Sequence, residues 1–159
     1  MDSGRAGGGM HGGNHGVMRN AMQLVHRYRS DIVRQVENVE GGVMTTTRSP
    51  HNRDAARALE LHVREMKALL ESGGRIRDWD PLFAEIFDRY DEIEMTIEAL
   101  EDGVRVTETS EDPDVVELIR AHAAKVDQFL ARGREAVHEE TPLPVDYRRR
   151  APAHPHDPR

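Results

Sequence analysis

The chain has no cysteine. That absence excludes disulfides, thiolate zinc sites, iron–sulfur clusters and covalent c-type haem attachment. Aromatic residues make up only 4% of the 159 positions, so a core must be built mostly from aliphatic side chains. There is no excess of positive charge. Lys and Arg number 22 against 29 Asp and Glu, a net charge of −7, which argues against general nucleic-acid affinity. No apolar run approaches the roughly 18 residues of a membrane span. No charged-then-apolar leader begins at Met1, which leaves two expectations open: an exported, periplasmic protein with its leader removed, or a cytoplasmic one. No GxSxG elbow and no glycine-rich phosphate loop after a strand is present, and the expectation is a protein that is not an enzyme.

What the chain does have is a pattern stated twice. Residues 37–73 match residues 98–133: Gly42 with Gly103 and Ser49 with Ser110 at a separation of 61, then His62 with His122, Leu70 with Leu130 and Gly73 with Gly133 at 60. A repeat of this length is the mark of a duplicated structural unit.

Met1 to Val17 is glycine-rich and reads as a flexible tail. It carries Met10, His11 and His15, thioether and imidazole ligands that suit copper. Residues 18–140 form the folded domain, with repeats at about 22–73 and 83–133. Residues 141–159 form a Pro/Arg-rich second tail. Four helices are expected. The first covers Met18 to Val39 on the spacing Met22, Val25, Arg29, Ile32, Val36 and Val39. The second covers Asn52 to Ser72, after the capping pair Ser49-Pro50. The third runs from Asp80 to Leu100 on Phe83, Ile86, Tyr90, Ile93 and Ile97. The fourth runs from Asp112-Pro113 to Arg132. Val43–Arg48 and Val104–Glu108 read as short extended segments that pair as an antiparallel ribbon across a pseudo-twofold axis. The fold class expected is therefore mainly α: a four-helix bundle of two matched helical hairpins, each with a short extended segment between its helices.

His62 lies between Leu59 and Met66, and His122 between Ile119 and Val126, each inside an apolar stripe. A buried imidazole without a partner costs about 1–3 kcal/mol, so each ring needs a carbonyl, a carboxylate, a water or a metal. Equivalent residues of a repeat face one another across its axis. His62 and His122 are therefore candidate ligands of haem b or of a transition-metal ion, copper or iron, with Met66 one turn from His62 as a further ligand. Arg29 is the candidate partner of a haem propionate. Glu94 is a candidate acid ligand. The layout resembles hemerythrin-like and ferritin-like di-metal bundles in outline and b-type helical cytochromes in His/Met usage. It departs from the di-iron pattern, because Leu59 and Ile119 stand where a Glu-x-x-His motif needs glutamate.

The functional expectation is a metal- or haem-binding bundle that stores, carries or senses its ligand. Two alternatives stand beside it: an interaction or oligomeric scaffold module with structural histidines, and a haem-dependent redox protein. The implied partners are a metal ion or haem, and a second copy of the chain.

Overall fold

The computed structural model describes residues 9–149, with side chains described from Gly16 onward. Two units of the same plan follow one another. In the first, α1 (Gly9–Gln23) passes through a π-helical turn (Leu24–Tyr28) and a 3₁₀ turn (Arg29–Asp31) into β1 (Val33–Val39), β2 (Gly42–Arg48) and α2 (Arg53–Glu71). In the second, α3 (Pro81–Asp88) passes through a 3₁₀ turn (Tyr90–Glu92) into β3 (Glu94–Leu100), β4 (Gly103–Thr109) and α4 (Pro113–Arg132), followed by the short α5 (Arg134–Val137). The four strands form one antiparallel sheet in the order β1-β2-β4-β3.

This overturns the mainly-α four-helix bundle. The long first and third helices do not exist as such: each breaks at a 3₁₀ turn, and its second half is an edge strand. The physical reason lies in the residues. Val33–Val39 and Glu94–Leu100 carry apolar residues three and four apart, which fits a helix. Glu94–Leu100 also alternates at a period of two, in Met95, Ile97 and Ala99, whereas Val33–Val39 does not, its valines being three apart; Val, Ile and Thr in both favour the extended chain. Two-residue connections, Glu40-Gly41 and Glu101-Asp102, join each edge strand to an inner one. Such connections are hairpin loops, and Gly41, at φ +75°, supplies a turn conformation open to glycine.

The inner pair β2–β4 is the antiparallel ribbon at the axis. Its register sets Thr45 opposite Val106, Gly42 opposite Thr109 and Arg48 opposite Gly103. Thr45 and Val106 are themselves 61 positions apart, so the pseudo-twofold axis passes between them. The same symmetry joins the hairpin tips to the opposite strand ends: the Ser49 N–H donates to the Asp102 carbonyl at 2.8 Å, and the Ser110 N–H to the Gly41 carbonyl at 2.9 Å. Gly42 and Gly103 are required where the chains approach. A Cβ on Gly42 would lie 1.9 Å from the Glu108 carbonyl oxygen, and one on Gly103 2.0 Å from that of Thr47.

Helices cover one face of the sheet. Val115, Ile119 and Ala123 of α4 pack on Val43 of β2, and Leu59 of α2 packs with Val104 and Val106 of β4 and with Leu24. A third cluster joins Val17, Leu69, Leu70, Phe83 and Phe87 at one end. The helices begin where side chains cap them. Asn52 accepts from the N–H groups of Asp54 and Ala55, Asp80 from that of Leu82 and Asp112 from that of Asp114. Among the described residues no helix is long and apolar enough to cross a membrane.

Candidate functional site

Between α2, α4 and the sheet lies a cavity of about 220 Å³. Its floor is formed by Arg34, Thr47, Thr45, Val106, Glu108 and Met95. The strand register makes these a diagonal from β1 to β3 that crosses the axis. The opposite corners of the sheet, at Val43 and Val104, are filled by α4 and α2. The cavity is thus what remains when two equivalent helices cover two equivalent corners.

Its walls repeat the symmetry. Met22 and Phe83, Arg34 and Met95, Thr47 and Glu108, His62 and His122, Met66 and Val126, and Leu70 and Leu130 all line it, and the members of each pair occupy matching positions in the two units. The scaffold is symmetric; the chemistry is not. The first unit contributes Met22, Met66, Arg34 and a hydroxyl at Thr47. The second contributes Met95, a carboxyl at Glu108 and aromatic surface at Phe83. Four methionines, Met18, Met22, Met66 and Met95, face one space.

The structure brings His62, His122 and Met66 to this cavity. Burial holds the His62 imidazole down at about 4, far below its ordinary 6.5, and its Nδ1 is buried with no hydrogen-bond partner. His122 is likewise held at about 4, by burial first and then by the positive charge of Arg34 and by His62. His62 is thus near enough for its charge to oppose protonation of His122, and both rings are neutral at pH 7. The Phe83 ring meets His122 edge-on at 5.2 Å between centroids.

Glu108 was hidden in a segment read as a structural link. Burial pushes its carboxyl up to about 7, while Arg34 pulls it down. Arg34 is fixed by Asp127 at 2.7 Å and donates to Thr47 and to the Ala123 carbonyl. A signal for Glu108 existed in the sequence: it alternates with Val104 and Val106, so it shares their inward face.

Other candidates stand elsewhere. Arg29 donates to the Leu130 and Ala131 carbonyls at 3.2 Å, covering the C-terminal end of α4 where a cation is favoured. Glu94 is exposed on β3, in a solvent-open acidic groove with Glu40, Asp91 and Glu111. The side chains of Met10, His11 and His15 lie outside the described residues. Among the described residues no group of three or more His, Cys, Asp or Glu is arranged to hold a metal ion. Glu94 lines a different groove from the one that holds His62 and His122. What remains together is two imidazoles among thioethers.

In comparisons with known proteins, no family model, no curated protein and no solved structure matches the chain.

Proposed function

We propose that the cavity binds one soft, monovalent metal ion, Cu(I), on His62, His122 and Met66, and that the protein carries, stores or senses that ion. The observation that carries this reading is the pair of neutral, buried imidazoles at matching positions in one thioether-lined cavity. Imidazole and thioether together suit Cu(I), whereas Mg²⁺, Ca²⁺ and Mn²⁺ ask for oxygen ligands. A single positive charge also costs less to bury than a double one, and Glu108 can balance it. Because both imidazoles are already neutral at pH 7, binding need not first displace a proton from either. Haem fits less well, since about 220 Å³ is below the roughly 300–1,000 Å³ of pockets that take drug-sized ligands.

A second reading is a small apolar molecule in the same space, favoured by the aliphatic and aromatic wall. Apolar cavities of roughly 150 Å³ take up benzene.

Titration with Cu(I) against a chromophoric chelator tests the first reading. One equivalent should bind, His62→Ala plus His122→Ala should abolish binding, and Met66→Leu should weaken it about tenfold, about 1.4 kcal/mol. A protein that leaves all the Cu(I) with the chelator but is stabilised by benzene supports the second reading instead.

A further inference from the structure

We propose that β1 is a docking edge for β1 of a second copy of this chain, the two strands pairing antiparallel about Val36 so that two sheets continue as one. The strand order leaves β1 at the end of the sheet, and no other strand among the described residues pairs with its outer side. Its inner ladder with β2 runs unbroken from Val33 to Val39, so the outer N–H and C=O groups form a regular row ready to pair. Of the features that protect edge strands, β1 has no proline, lysine or bulge; its charges are Glu37 and the inward-pointing Arg34, which is tied down by Asp127. Instead it exposes valines: Val33 is 56% accessible and Val36 40%.

The sequence of β1 is close to palindromic in chemistry. Pairing about Val36 sets Val33 opposite Val39, Arg34 opposite Asn38 and Gln35 opposite Glu37, with no like charges facing. Valine then meets valine on both faces of the joined sheet, the kind of cross-strand contact that stabilises antiparallel pairs. The other edge differs. β3 places Glu94 and Glu98 on its outer face, Glu98 paired with Arg105, so two copies of it would bring both Glu94 carboxylates, with no cation paired to them in the fold, onto one surface with the two Glu98–Arg105 pairs. The choice of β1 over β3 rests on this contrast in charge, and it does not depend on what the cavity holds.

Sedimentation velocity on the full chain from about 5 to 500 μM tests the proposal. A reversible monomer–dimer equilibrium is expected. Val36→Lys, or Val33→Glu on the face away from the helices should the first variant not fold, should move its midpoint at least tenfold toward higher concentration, while circular dichroism and melting temperature stay unchanged. Thr96→Lys on the opposite edge should leave it in place. A chain that is monomeric throughout, or a dimer that ignores the β1 substitutions, overturns the proposal, and the first outcome would leave the strand free for a different protein.

Discussion

His62 and His122 make the molecule sensitive to acid. Each is neutral in the fold down to about pH 4 but takes a proton near pH 6.5 when the chain unfolds. The unfolded chain therefore binds more protons between those values. The stability from these two groups is complete above pH 6.5 and is lost as pH falls through 4. Glu108 acts with the opposite sign. Its carboxyl is raised from 4.5 to about 7, so its contribution is present below pH 4.5 and is lost as pH rises through 7. Thermal melts of the metal-free protein from pH 4 to 8 check both. The acid limb should flatten in His62→Leu plus His122→Leu, and Glu108→Gln should melt higher than wild type at pH 8 with little difference at pH 4.5. An acid limb that survives the double substitution would show that these rings are not its source. Gly42 and Gly103 are a second case in which one atom decides. With less than 2.1 Å to a carbonyl oxygen at either position, a Cβ forces backbone to move. Gly42→Ala and Gly103→Ala should each cost about 2–4 kcal/mol, read by chemical denaturation, whereas Gly16→Ala, with open space around it, should cost far less.

Among the elements, α4 was legible because Asp112-Pro113 and Gly133 mark its ends, and α2 because Gly73 follows it; Ser49-Pro50 stands ahead of α2 but does not cap it, since Asn52 does and the Ser49 hydroxyl has no hydrogen-bond partner. Asn52, the residue that caps α2, makes a local test. Asn52→Ala should cost about 1 kcal/mol by denaturation. Asp80 is a harsher one, because it caps α3, pairs with Arg77 at 3.0 Å and is fully buried. Asp80→Ala takes the one carboxylate in contact from that guanidinium, leaving it the Val137 and Glu139 carbonyls, and should cost about 3 kcal/mol. The edge strands were not legible. Val33–Val39 and Glu94–Leu100 follow helical turns with no glycine or proline between. Each has water on much of its surface, so the alternation that marks a strand is blurred. What broke the helices was tertiary: the inner strands, readable as extended from their threonines and valines, needed partners. The cavity shows the same division. Its histidines stood out by repetition and Glu108 could be placed by its alternation with Val104 and Val106, while Met95 and Arg34 became cavity residues only once the sheet gave their strands an inward face.

At the scale of the whole molecule, each unit supplies half a sheet and one covering helix. The central β2–β4 ladder belongs to neither half. A two-stranded hairpin with one helix leaves one long inner edge unpaired and a greasy face uncovered. Residues 1–75 and 76–159, expressed separately, should each lack a cooperative melt. Mixed, they should regain the spectrum of the intact chain, followed by circular dichroism. Independent folding of either fragment would show that the units do not depend on each other.

The register in which Thr45 looks across at Val106 has a consequence for ancestry. Every residue of an inner strand faces a position that its counterpart mirrors, so a gene of half this length could close the same vessel by having its product meet itself. With both copies in one chain each side is free to differ, as it does where one wall carries an acid and the other an alcohol.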